Sequence, residues 1–152
     1  YTISFTTRTF SKAYGLAGLR MGYGLSIPKI ADILNRVRQP FNNNALALAA
    51  AEAALGDVEH LQNTLQTNTE GMQQLTEGFK ALGLEWIPSA GNFVSVDLKQ
   101  PGQPIYEALL RKGVIVRPVS NYEMPNHLRI SVGTQVENQT FLNALKNILA
   151  DV

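Results

Sequence analysis

The sequence predicts an α/β chain organised as two lobes. Two runs with strand periodicity flank a short glycine-containing loop near the start, one uninterrupted helical pattern occupies the middle, and strands alternate with helices at short intervals thereafter. A length of 152 residues suits either one domain or two small lobes with a real core.

Taken in order, residues 2–8 set Ile3 and Phe5 against Thr2, Ser4 and Thr6, the period-2 signature of a strand, and 20–26 repeat it with Met21, Tyr23 and Leu25. Pro28 opens a helix whose apolar positions Ile30, Ile33, Leu34 and Val37 carry it to Arg38, where Pro40 and the run Asn42, Asn43, Asn44 interrupt it. Residues 45–55 are nearly all Ala and Leu, a second helix that Gly56 ends. Asp57 caps a third, in which Val58, Leu61, Leu65, Met72, Leu75, Phe79 and Leu82 keep one apolar stripe until Gly83. At 1.5 Å per residue this helix over about 57–82 is roughly 37 Å long. Its middle, 66–70, is polar, so it reads as a bridge between one lobe at 1–66 and a smaller α/β lobe at 67–152.

The smaller lobe is expected to contain strands at 84–87 and 93–98, a helix at 104–112 ended by Gly113, strands at 114–116 and 128–132, and a last helix. Thr134 and Glu137 have the spacing of a capping box for that helix, and Phe141, Leu142, Leu145, Ile148 and Leu149 form its buried stripe. Trp86 is expected to anchor the core.

Composition narrows the function. Hydrophobic residues make up 45% and charged residues 16%, with a net charge of +1, so neither a disordered polyelectrolyte nor a nucleic-acid or membrane surface is indicated. A small-molecule ligand fits better. The absence of cysteine removes disulfides and thiolate chemistry. His60 and His127 stand far apart without ligand-spaced partners, so no metal site is expected. No apolar run approaches the roughly 20 residues that span a bilayer, and cytoplasmic localisation is the expectation.

The densest chemistry lies between the first two strands. Lys12 follows the hydroxyls of Thr9 and Ser11 and precedes Gly15, Gly18 and Arg20. A lysine amine can form a Schiff base with a phosphorylated aldehyde such as pyridoxal phosphate, and neighbouring hydroxyls and a planar guanidinium suit its phosphate. Each residue alone is weak evidence; their order and spacing are much stronger.

This Ser-Lys segment, with the following Gly15-Leu16-Ala17-Gly18-Leu19-Arg20 and Gly22-Tyr23, resembles the lysine segment of fold-type I, class I/II pyridoxal-phosphate-dependent aminotransferases, and most resembles that of the histidinol-phosphate aminotransferases. Pro40-Phe41-Asn42, Ala90-Gly91-Asn92-Phe93, Val114-Ile115-Val116-Arg117-Pro118 and Leu128-Arg129-Ile130-Ser131-Val132-Gly133-Thr134 extend the resemblance in the family's order over essentially the whole chain. It implies the end of a large-domain sheet, a bridging helix and a small C-terminal domain. Lys12 is then the Schiff-base lysine and proton shuttle, and Arg20, Ser11 and Thr9 hold the cofactor phosphate. Arg129 binds the carboxylate of glutamate or 2-oxoglutarate, Arg117 reaches the phosphate of histidinol phosphate, and Asn92 lines the pocket near the substrate.

The resemblance further implies that this is the C-terminal part of a homodimeric enzyme of histidine biosynthesis. The carboxylate paired with the pyridinium nitrogen, the aromatic residue stacked on the ring and a partner-subunit tyrosine belong to other segments, and the isolated chain is expected to be inactive. Two alternatives stay open: an aromatic amino acid aminotransferase of the same fold, and a non-catalytic binding or dimerisation module.

Overall fold

The computed structural model describes residues 4–150. The first two positions of the strand expected at 2–8, Thr2 and Ile3, lie outside them. The chain divides into two units, 1–65 and 66–152, and the division falls within a helix.

In the first unit, β1 (Phe5–Thr9) and β2 (Gly22–Ser26) pair antiparallel, from Phe5 opposite Ser26 to Thr9 opposite Gly22. The Phe10 amide adds one more rung, donating to the Met21 carbonyl at 3.1 Å. Glycine is required at 22 by this close pairing, since a Cβ there would meet the Arg8 carbonyl oxygen at 2.8 Å. Helix α1 (Pro28–Val37) has proline at its first position, where no intrahelical N–H is needed, and Asp32 pairs with Arg36 one turn on. Helix α2 (Ala45–Gly56) is capped by Asn44, whose side-chain oxygen accepts from the Ala47 amide at 2.8 Å.

Helix α3 (Val58–Ala81) is a single run of 24 residues. Asp57 starts it by accepting the His60 amide at 3.0 Å.

The second unit is a four-stranded antiparallel sheet backed by helices. Strands β3 (Glu85–Ile87), β4 (Phe93–Asp97), β5 (Arg117–Pro118) and β6 (His127–Ser131) lie in the order β3-β4-β6-β5. Alternation along β4 and β6 separates the faces: Val94, Val96, Leu128 and Ile130 are buried, whereas Phe93, Ser95, Arg129 and Ser131 point the other way. The buried face packs against Leu75 and Phe79 of α3, Ile105 and Leu109 of α4 (Gly102–Arg111), and Phe141, Leu145 and Ile148 of α5 (Gln135–Ala150). Phe79 is the hub, with ring centroids 6.2 Å from both Trp86 and Phe141. Burying such aromatic and aliphatic side chains contributes about 1.5–3 kcal/mol each.

Thr134 and Glu137 form the capping box of α5. The Thr134 amide donates to the Glu137 carboxylate at 2.8 Å, and the Glu137 amide points back at the Thr134 hydroxyl at 3.4 Å. Asn138 is the buried polar residue of this unit and is satisfied within the same turn: its amide nitrogen donates to the Gly133 carbonyl at 3.1 Å, and its oxygen accepts from the Gly133 amide at 3.0 Å.

Three expectations shift by two residues or more. The strand expected at 20–26 begins at Gly22, because Arg20 closes a short 3-10 turn in the left-handed region and is not extended. Helix α4 begins at Gly102 rather than Pro104, because proline fits anywhere in a first turn whose amides have no helical acceptor. The strand expected at 114–116 is displaced to β5 at Arg117–Pro118. The Val114 amide is taken back by the Leu109 carbonyl at 3.0 Å in the C-terminal turn of α4, and the chain reaches the β6 ladder only at Arg117. Ile115 is left 83% exposed, while Val116 still turns into the core.

Candidate active site

Lys12 sits in the loop that joins β1 to β2, and local contacts shape that loop. Phe10, 2% exposed, roots it, with the rings of Tyr14 and Tyr23 at 4.9 and 6.1 Å. The Gly15 amide donates to the Lys12 carbonyl and the Leu16 amide to the Phe10 carbonyl, both at 2.9 Å, so the backbone folds back directly after the lysine. Gly15 takes φ +70°, a left-handed conformation that favours glycine. The Lys12 side chain is exposed.

The other three residues of this group lie on the same loop or at its edge. Thr9 ends β1, and its hydroxyl oxygen accepts the Ser11 amide at 3.0 Å, which leaves the hydroxyl hydrogen available. Arg20 closes a single 3-10 turn, 17–19, in the left-handed region at φ 55°, an uncommon conformation for a residue with a side chain. One guanidinium nitrogen donates to the Ala17 carbonyl at 3.0 Å, which orients the group while leaving other donors of its fork free for an anion. A Cβ at Gly18 would meet nothing within 4 Å, so packing within the chain does not demand glycine there.

In the second unit, Arg117 and Arg129 are register partners on β5 and β6. Directly opposite residues have Cβ atoms about 4.5–5.5 Å apart and share a face of the sheet. Ser95 lies opposite Arg129 on its other side, and Ile87 opposite Ser95, so one row crosses the sheet as Ile87, Ser95, Arg129, Arg117. Like charges placed opposite one another repel. Among the described residues neither arginine has a carboxylate partner; the ion pairs there are Asp32–Arg36 and Lys99–Glu85. The row therefore offers two uncompensated guanidinium groups, suited to a substrate carrying one or two anionic groups.

Asn92 is exposed in the turn before β4, and its carbonyl accepts the Val132 amide at 2.9 Å, which ties the turn to the end of β6. Sequence reasoning passed over its neighbour: the Arg129 guanidinium carbon lies 4.7 Å from the Phe93 ring centroid. Ser95, in the row itself, was also missed, since nothing in a Val-Ser-Val strand marks its serine. A cavity of about 560 Å³ between β6 and the start of α5, lined by residues such as Ile115, Val132, Val136 and Phe141, contains none of the predicted site residues.

The sequence profile of the family described as aminotransferase class I and II matches residues 2–145. The chain belongs to the class I and II aminotransferase family. Among relatives in this family, the protein named histidinol-phosphate aminotransferase 2 of Pseudomonas fluorescens strain Pf0-1 is 63% identical over 150 residues, which cover 99% of this chain and 40% of that protein. The protein of the same name from Pseudomonas aeruginosa is 61% identical, covering 95% of this chain and 39% of the relative. The crystal structure of histidinol-phosphate aminotransferase from Sinorhizobium meliloti, in complex with pyridoxal-5'-phosphate, matches 97% of this chain and 41% of its own length, with a TM-score of 0.88 and 32% identity. The chain thus spans about 40% of the length of the curated aminotransferases it matches. The fold is that of the fold-type I aminotransferases over this span.

Proposed function

We propose that this chain supplies the Schiff-base lysine and the substrate-binding arginines of a pyridoxal-phosphate-dependent aminotransferase that exchanges an amino group between histidinol phosphate and 2-oxoglutarate in histidine biosynthesis. The observation that carries this reading is the register pair of Arg117 and Arg129, two guanidinium groups on one sheet face without carboxylate partners. The names of the relatives at 61% and 63% identity support the substrate. In this reading residues 1–66 belong to the large cofactor-binding domain and 67–152 form the small domain, the parent enzyme is a cytoplasmic homodimer, and no helix among the described residues is long and apolar enough to cross a membrane.

The residues present fit the cofactor. The lysine loop combines an exposed amine, two hydroxyls and a guanidinium with donors to spare, and the open space at Gly18 leaves room for close approach. Pyridoxal phosphate, when bound, supplies an electrophilic aldehyde and a ring that withdraws electrons from the substrate's α-carbon. Lys12 Nζ is the chain's nucleophile toward that aldehyde. With its amine free, the same Nζ would take the proton from the substrate's Cα and deliver it to C4′ of the cofactor. Arg20 with the hydroxyls of Ser11 and Thr9 holds the cofactor phosphate, and the local bond from Arg20 to the Ala17 carbonyl keeps its guanidinium oriented. Arg129 grips the carboxylate of glutamate or 2-oxoglutarate, Arg117 the phosphate of histidinol phosphate, and Asn92 borders the substrate.

Two measurements on the full-length parent test this reading. Borohydride reduction of the enzyme loaded with pyridoxal phosphate should abolish an absorbance near roughly 410–430 nm and leave the label on the Lys12 peptide in mass spectrometry. Turnover should strongly favour histidinol phosphate over phenylalanine; a preference for phenylalanine would assign the site to aromatic amino acids instead.

A further inference from the structure

We infer that Phe93 is the positioning residue of Arg129, holding its guanidinium flat and un-neutralised so that a substrate carboxylate can take it in two-point contact. The inference rests on the assignment of Arg129 as the carboxylate-binding group and extends it to a residue outside the predicted set.

A long, flexible cation must be held in one orientation to select a planar carboxylate. Side-chain carboxylates are the usual means, but a carboxylate partner would neutralise the arginine and compete with the incoming substrate. Among the described residues Arg129 has no such partner. The Phe93 ring lies against it instead, with 4.7 Å from the guanidinium carbon to the ring centroid. Sheet register explains the contact. Phe93 pairs with Ser131 and Ser95 with Arg129, so Phe93 is the diagonal neighbour of Arg129 on the same face, within reach of an aromatic and a long side chain.

An aromatic face attracts the cation through its quadrupole while contributing no formal charge, so the donor edge of the guanidinium stays free for an anion. It also offsets part of the repulsion from Arg117, which faces Arg129 across the ladder. Phe93 is itself 39% exposed, although Val94 and Val96 of the same strand are fully buried. Its ring lies on the arginine's face rather than in the core, so its removal should perturb the site more than the fold.

The test uses the full-length parent enzyme with Phe93→Leu, Phe93→Met, Phe93→Trp and Arg129→Lys, reading steady-state kinetics together with the Nε–H signal of Arg129 in nitrogen-edited NMR. Phe93→Leu is expected to raise KM for 2-oxoglutarate roughly fivefold with kcat nearly unchanged, and to broaden the Arg129 Nε–H signal; Phe93→Trp restores both. Arg129→Lys should raise that KM further. If Arg129→Lys raises KM while Phe93→Leu behaves as wild type, the positioning role is overturned and the carboxylate assignment stands. If Arg129→Lys leaves KM unchanged, the assignment fails and the inference with it. Loss of folding in Phe93→Leu together with normal KM and a sharp Nε–H signal in Phe93→Met would make the ring a structural residue only, which also overturns the proposal.

Discussion

The two units carry their functional groups on very different supports. Among the described residues of the first unit the buried apolar ones are Phe10, Ala47 and Ala51, whereas Val37, Phe41 and Leu46 are 73%, 98% and 78% exposed. The second unit instead has a continuous core from Leu75 to Ile148 that backs the whole sheet beneath Arg117 and Arg129. Lys12 is therefore placed by a few local contacts made by Phe10 and the loop backbone, and the arginines by strand register over a packed core. Chemistry at Lys12 should be separable from the stability of the sheet unit, and the arginine geometry should not be.

The largest effect expected tests the first half of that statement. Lys12→Ala in the parent should reduce transamination by at least about 10⁴-fold, since on the proposed reading it removes both nucleophile and proton carrier. Thermal unfolding of the cofactor-free protein should not move, because the side chain is exposed; a substantial fall in Tm would show that the two functions are not separable. Phe79→Ala probes the other half, emptying the hub of the sheet unit at a cost of about 3–5 kcal/mol in denaturant unfolding, with substrate binding lost alongside.

Smaller effects refine the comparison. Asn138→Ala breaks both bonds to Gly133 and leaves that residue's amide and carbonyl without their partner, for about 1–3 kcal/mol by urea titration. The smallest effect belongs to the α5 cap. The Thr134 backbone amide, and then its hydroxyl, hold the Glu137 carboxyl below its ordinary value of 4.5. A lowered folded-state value stabilises the native protein above the unfolded-state value, and that contribution is lost as pH falls through the folded one. Glu137→Gln should therefore flatten the stability profile slightly below about pH 4.5 and leave neutral pH little changed except for the weaker cap. A steep acid dependence retained in the variant would place the sensitive group elsewhere.

Much of this arrangement was legible in the sequence because it is local. The Asp57 cap, the Thr134–Glu137 box and the apolar stripe of α3 depend on neighbours three or four positions apart, which spacing exposes directly. The β1–β2 pairing was legible from two alternating runs around one loop. What spacing does not carry is register between strands joined by irregular chain. Arg117 and Arg129 are brought opposite each other across a connection that contains the short 3-10 turn at 120–122, so their pairing emerges only in the structure. The displaced β5 has the same origin: Val-Ile-Val has strand propensity, but the end of α4 claims the Val114 amide first. Asn92 drew attention as the polar residue of its motif, while the Phe93 contact depends on a diagonal across β4 and β6.

The left-handed backbone at Arg20 has a consequence for anyone altering this protein. Glycine would occupy φ 55° without the steric cost of a Cβ, about 1 kcal/mol, yet glycine has no guanidinium. Selection for heat tolerance alone would drift toward Arg20→Gly and discard the guanidinium proposed to hold the cofactor phosphate in exchange for a relaxed turn. Library design should therefore hold position 20 fixed and seek robustness among the exposed apolar positions of α1 and α2, where backbone preference and chemistry do not conflict.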